Sequence, residues 1–403
     1  MMDLKSLMSL AVVLVAVSGP RPVVASPFGP EPSLTEQVSK ADVYVGARWI
    51  ETRPAVVKKA AQTVYEVEHI PQHLTDVLKV GQQISLKELR ESQAGQLFLL
   101  FGRNRADIDW DYSLQVTQAS YDYATQAPGP DAPTGTRLAY FVKFLEHPDE
   151  MIAMDAYREF ADVPYPDIFA FSEKLPREKI RQWVADPKTP AWHLDLYGIL
   201  IGRFGNDADA ALLEKIIADE TEEFRPGMDG IMSGYLMLAG TRGLDLLNER
   251  KLARRDIPFG ETYSAMQALR FMWTYADGRI EKERLKESMR ILLDRPDLND
   301  LVIMDLSRWK DWSVQDRVMR LSLNAMAGPE ARSSNAKSIE AFSAAVIAER
   351  EASNDATDPE PVNKSSSQTE NDSDRFTRAT ERAVLRYMLA ARDDVPNTAV
   401  GDE

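Results

Sequence analysis

Two hydrophobic periods divide this chain. Between residues 41 and 123, apolar side chains alternate with polar ones in short runs: Val43-Tyr44-Val45, 63–70, 82–89, 96–101 and 113–119. Alternation places every second side chain on one face, so these runs predict five short strands. Glycines (Gly81, Gly95, Gly102) and an acidic stretch (Asp107, Asp109, Asp111) punctuate them. Five short strands closing on themselves predict a small β-barrel, although a sandwich would leave much the same pattern.

Residues 124–136 carry three prolines, two glycines and no apolar period, which predicts a linker. From 137 the apolar period changes to three and four. Ala153, Tyr157 and Phe160 share one stripe, as do Leu194, Tyr197, Ile201 and Phe204, and again Met266, Leu269 and Trp273. Pro148, Pro187, Pro226, Pro258 and Pro296 recur between such stretches, spaced 39, 39, 32 and 38 residues apart. Proline tolerates a helix start and resists a helix interior, so the recurrence predicts one helix pair repeated five times. The expected pairs are 137–161, 176–205, 207–239, 241–276 and 280–309, with Gly205, Gly240 and Gly278 as C-terminal stops. A stripe that one pair cannot hide is buried by stacking, which predicts an α-solenoid over 137–321. Residues 328–375 crowd Ser, Asn, Asp, Glu, Thr and Pro and are expected to be disordered. Helical spacing returns over 376–392 through Phe376, Ala383, Val384, Tyr387 and Met388, a terminal helix able to cap the array.

The predicted fold class is therefore α+β and multidomain. The stretches 64–67, 77–81 and 98–102 resemble OB-like, netrin-like and metalloproteinase-inhibitor-like β domains. Those domains usually carry disulfides, and this chain has no cysteine. His147-Pro148-Asp149-Glu150 leading into 156–161, and Arg295-Pro296-Asp297 leading into 301–306, resemble the turn and second helix of HEAT-like repeats. The arginine usual near the start of the second helix in that family is not evident here. As a whole the chain is similar to exported bacterial proteins that join a β domain to such repeats. That resemblance implies no activity.

Composition narrows the partners. The chain has 403 residues and a net charge of −15. Lys5, the apolar run 7–17, Gly19 and Pro20, then Val23-Val24-Ala25 predict a signal peptide over 1–25, cleaved after Ala25, and hence a periplasmic or secreted protein. An apolar run of about 11 residues is too short to span a bilayer of about 30 Å, so no integral membrane segment is expected after cleavage. So acidic a chain repels phosphate backbones, which argues against nucleic acid.

Candidate chemistry is sparse. His69 and His73 have the four-residue spacing of a helical zinc pair, but Pro71 lies between them and no His-Glu-x-x-His motif is present. Asp107, Asp109 and Asp111 offer alternating carboxylates for calcium, although Tyr112 and Gln118 stand where an EF-hand needs glycine and glutamate. Gly198, Gly202 and Gly205 lack phosphate-loop spacing and suit close helix packing instead. There is no cysteine nucleophile, Walker lysine or Gly-x-Ser-x-Gly elbow. The remaining signal is Arg270, Trp273, Trp309, Lys310 and Trp312 on or after the last second helices, where tryptophan and arginine suit a partner surface. The expectation is a non-enzymatic binding or scaffold protein holding a protein or glycan of the envelope or extracellular space on a concave face. The alternative is a metal-dependent hydrolase with its site at the junction of β domain and array, built from His69, His73 and the acidic trio.

Overall fold

The computed structural model describes residues 32–55, 60–219, 225–276, 278–326 and 372–394. The predicted signal peptide and most of the predicted disordered segment lie outside them. The fold is α+β: a five-stranded antiparallel open sheet, one helix before it and fourteen after it among the described residues. The chain divides into two compact units between Val163 and Pro164.

In the first unit, α1 (Leu34–Lys40) precedes β1 (Val43–Arg53), β2 (Gln62–His69), β3 (Gln83–Leu86), β4 (Leu97–Arg103) and β5 (Asp109–Gln115). The sheet order is β3-β2-β1-β4-β5, with Val45 opposite Leu100 and Trp49 opposite Tyr65. Alternation on β1 sends Val43, Val45 and Ala47 into a core with Tyr65, Val67, Phe98 and Leu100. On β4 every residue from Leu97 to Phe101 is buried, as a strand covered on both faces requires. Part of the second cover is α2 (Gln118–Gln126), whose Tyr121 packs where a side chain at Gly46 would otherwise stand. Beyond β3, Glu88 reaches the far edge strand: Tyr65 Oη and Ser113 Oγ each donate to its Oε1 at 2.6 Å.

All five expected strands form, with shifted ends. The fifth ends at Gln115, short of the predicted 119, because Thr117 instead caps α2 in a reciprocal box with Ser120. The expected linker 124–136 holds the end of α2 and the first turn of α3 (Thr134–Phe141), leaving 127–133 as the connection. After α3 comes α4 (Glu150–Ala161). It anchors α1: Asp155 Oδ1 accepts from the Leu34 amide, and Thr35 Oγ1 donates to Asp155 Oδ2 at 2.8 Å. Burial pushes the Asp155 carboxyl above its usual range, against the hydrogen bonds from Tyr123 and Thr35.

The second unit is helical. Its described elements are α5 (Tyr165–Phe171), α6 (Arg177–Ala185), α7 (Leu194–Phe204), α8 (Asp207–Ala218), α9 (Met228–Ala239), α10 (Thr241–Leu247), α11 (Phe259–Tyr275), α12 (Lys282–Ile291), α13 (Asn299–Arg308), α14 (Gln315–Met326) and α15 (Asp372–Asp393). Each recurring proline precedes the second helix of an expected pair: Pro148 before α4, Pro187 before α7, Pro226 before α9, Pro258 before α11 and Pro296 before α13. Within this unit α7 packs on α9, and α9 on α11. The first crossing is close. A Cβ built at Gly198 would lie 2.6 Å from the Gly230 carbonyl, and one at Gly202 would lie 2.6 Å from the Gly234 Cα. Gly198 and Gly202 therefore serve helix packing, on a partner helix with the same four-residue glycine spacing.

Arginines bind successive helices together. Arg181 on α6 pairs with Asp209 on α8 at 2.7 Å, Arg225 with Glu261 on α11 at 2.8 Å, and Arg270 on α11 with Asp305 on α13 at 2.6 Å. In each pair the carboxylate is nearly buried and the guanidinium closes over it. These pairs form a polar ladder from one expected helix pair to the next. A one-turn π-helix, Asn248–Leu252, turns Lys251 inward onto Glu261 at 2.7 Å. The last described helix, α15, packs on α13 and α14.

Candidate functional site

The residues singled out as a partner surface lie near one another but are engaged within the second unit. Trp273 and Trp309 stack with ring centroids 4.3 Å apart and planes 7° from parallel, and the Lys282 ammonium lies 4.7 Å from the Trp273 ring. Arg270 is held on Asp305. Lys310 and Trp312 both donate to Asp394, at 2.5 and 2.9 Å. Tyr387 of α15 donates to the Asp311 carbonyl and meets the Trp312 ring edge-on at 5.1 Å.

The proposed metal ligands are dispersed. Asp111 pairs with Arg103, and Asp109 stands opposite Arg103 in the β4–β5 register. His69 ends β2, stacked on Tyr121 at 4.8 Å with Nε2 3.2 Å from Gln118 Oε1. His73 lies in a 3-10 turn against the edge of Tyr44. Among the described residues, no group of three or more His, Asp or Glu side chains is placed to hold a metal ion.

A groove of about 790 Å³ opens elsewhere in the second unit, where the C-terminal ends of α7, α9 and α11 meet α5. Phe169, Met237 and Tyr275 give it apolar walls, while Arg203 and Arg279 give it charge. Local structure accounts for each of these. Tyr275 ends α11 in an aromatic cluster, edge-to-face with Tyr165 at 5.1 Å and tilted against Phe271 at 5.2 Å. Arg203 lies in the last turn of α7, a position that favours a cation beside the helix's negative end. Its guanidinium carbon sits 5.5 Å from the Phe169 ring centroid. Gly278, at φ +76°, turns the chain after α11 with no Cβ penalty. Arg279 then reaches back to cap α9, its Nε donating to Met237 O at 3.0 Å and its Nη2 to Leu238 O at 2.5 Å.

Both guanidiniums are exposed, and neither meets a carboxylate among the described residues. A second, smaller cavity of about 520 Å³ lies in the first unit, lined by Glu36, Lys40, Arg137 and Glu159 among others. There the charges answer one another, Lys40 on Glu36 and Arg137 on Glu159. In the second unit's groove they do not.

Among known proteins, the chain matches no family model, no curated protein and no solved structure. The groove escaped sequence reading because its walls come from four helices spread over more than a hundred residues. One signal was present: Gly202-Arg203 and Gly278-Arg279 place a cation at the ends of two second helices.

Proposed function

We propose that this is a non-enzymatic binding protein whose partner site is the groove at the C-terminal ends of α7, α9 and α11. The observation that carries the reading is a large open groove combining aromatic walls with guanidiniums that no described carboxylate satisfies. Aromatic and arginine side chains concentrate binding energy at interfaces, and a rigid helical face needs little ordering when it binds. In helix-pair arrays of the type this sequence resembles, the second helices line the concave side, and these three are second helices. A solenoid stack, a closed N-terminal barrel and export through the N-terminal leader all belong to this reading. The partner is then a molecule of the envelope or extracellular space.

Photo-crosslinking tests it. A benzophenone side chain in place of Phe169 or Tyr275 is expected to capture a partner in the producing cell. The same probe in place of Tyr112, on the first unit's sheet, is expected not to. Capture from Tyr112 alone would move the site off the groove.

A further inference from the structure

We infer that the groove takes an acidic peptide segment, with an apolar side chain against Phe169 and Met237 and flanking carboxylates on Arg203 and Arg279. The inference rests on the groove being a binding site and adds the class of ligand.

Charge is the first argument. Acidic side chains outnumber basic ones 63 to 48 in this chain, so an exposed cation would ordinarily find a carboxylate within reach. Several guanidiniums elsewhere in the unit do: Arg181 on Asp209, Arg225 on Glu261, Arg290 on Asp311 and Arg284 on Asp245. Arg203 and Arg279 line one groove and are held by other means, an aromatic face and two backbone carbonyls. Those contacts fix both side chains while leaving donors available. The Phe169 ring uses only the face of the Arg203 guanidinium, and the α9 carbonyls use only Nε and Nη2 of Arg279. A guanidinium already held in place loses little entropy on taking a carboxylate, and its fork matches two carboxylate oxygens.

Shape and polarity supply the second. Three helices end at the groove, and their carbonyls carry partial negative charge that would repel a carboxylate. Arg279 covers those of α9 at Met237 and Leu238, and Arg203 stands at the end of α7, so the two cations lie where the repulsion is strongest. The same groove has an apolar wall, with Pro166, Phe169 and Met237. That surface suits an aromatic or aliphatic side chain and offers little to the hydroxyls of an acidic glycan. Gly278 at the rim, exposed and facing open space, leaves the backbone open to an extended peptide.

The test is titration of the full chain with a fluorescent capped peptide in which phenylalanine is flanked on both sides by glutamate and aspartate. Three comparison ligands share the assay: the Gln/Asn version of the peptide, its lysine version and an oligo-uronate. The acidic peptide is expected to bind one to one and at least about tenfold more tightly than each comparison ligand, because a charge-assisted pair is worth more than about one neutral hydrogen bond. Rising salt should weaken it. Arg203→Gln and Arg279→Gln should each weaken it about tenfold, with Arg203→Lys intermediate. Arg242→Gln removes the same charge from an exposed position outside the groove and should leave the affinity unchanged. Arg203→Gln is the cleaner variant, since its side chain is exposed and touches only a ring face; unchanged thermal unfolding would establish that its fold is intact.

Equal binding of the Gln/Asn peptide, indifference to both arginine substitutions, stronger binding of the uronate, or no saturation by the acidic peptide up to about 1 mM would each overturn the inference. Binding of the neutral peptide that is lost in Phe169→Ser would overturn it too, yet leave the groove standing as a binding site. Failure of the crosslinks at Phe169 and Tyr275 would instead remove the site itself.

Discussion

Trp312 Nε1 donates to Asp394 Oδ2 at 2.9 Å, tying the loop after α13 to the end of the C-terminal helix. A tryptophan that reads in the sequence as a partner-facing residue thus meets the chain's own last helix. The bond lies at the rim of a larger contact, in which Tyr387, Val384 and Ala383 are buried as α15 covers α13 and α14. The apolar contact should therefore carry the docking. Tyr387→Ala is expected to lower unfolding free energy by about 3–5 kcal/mol, the usual cost of deleting a buried aromatic ring. Asp394→Asn should change it little, since that pair is exposed and open to water. Urea unfolding followed by circular dichroism checks both; an Asp394→Asn loss as large as that of Tyr387→Ala would place the energy in the polar rim.

Glu261 holds two cations at once, Lys251 at 2.7 Å and Arg225 at 2.8 Å, and Lys251 is 1% exposed. Burial works against ionising Glu261, but its hydrogen bonds to Arg225 and Lys251 outweigh it and keep the carboxyl below its usual range. Glu261→Gln leaves Lys251 enclosed without a counter-charge, a loss of about 3–5 kcal/mol. Adding Lys251→Met should recover most of it, because an apolar side chain of similar length needs no partner. A double variant no more stable than the single would show that the network is not organised around Glu261.

Gly234 touches the Gly198 carbonyl so closely that a Cβ there would occupy the same space. Gly234→Ala must push α7 and α9 apart and should cost at least about 1–3 kcal/mol, the range for overpacked sites. Gly129 faces open space, so Gly129→Ala serves as the neutral comparison. Differential scanning calorimetry should give a lower Tm for the first and an unchanged Tm for the second. Equal melting temperatures would mean that the crossing is looser than the geometry describes.

Asp195 on α7 and Asp229 on α9 stand together at the start of the same crossing. Burial, then the neighbouring Asp229 carboxylate, pushes the Asp195 carboxyl well above its usual range, and burial raises Asp229 as well. A raised folded-state pKa means that the folded chain holds its proton more firmly than the unfolded chain. The stabilisation is then fully present below the unfolded value of about 4 and lost as pH rises through the folded one. Asp195→Asn mimics the protonated form at every pH. It should be more stable than the natural chain at pH 8, with the difference closing toward pH 4. A gap that widens toward pH 4 would reverse the sign and contradict the account.

Local signals carried the helix pairs. Tyr197, Ile201, Met266 and Leu269 fell on apolar stripes in the sequence and are buried in the structure, and the recurring prolines lie in the connections that precede second helices, since proline resists a helix interior. Features made by distant residues were not legible. The partners of Arg181, Arg225 and Arg270 lie 28, 36 and 35 residues further on, so no short motif announces the ladder. Helix α2 was hidden by its polar composition; the Thr117–Ser120 box that starts it is a local signal, with serine standing where such a box usually has Glu or Gln. Arg203 and Arg279 each follow a glycine near the end of a second helix in the sequence, but only the meeting of helix ends brings both to one groove.

Amide hydrogen exchange of the full chain, free and saturated with the acidic phenylalanine peptide, tests the central claim most directly. The account predicts slowed exchange in 165–171, 202–205, 237–239, 274–276 and 278–279, stretches that line or adjoin the groove, with the first unit's sheet unchanged. Protection confined to the sheet, or to the contact of α15 with α13, would contradict it and place the binding surface elsewhere.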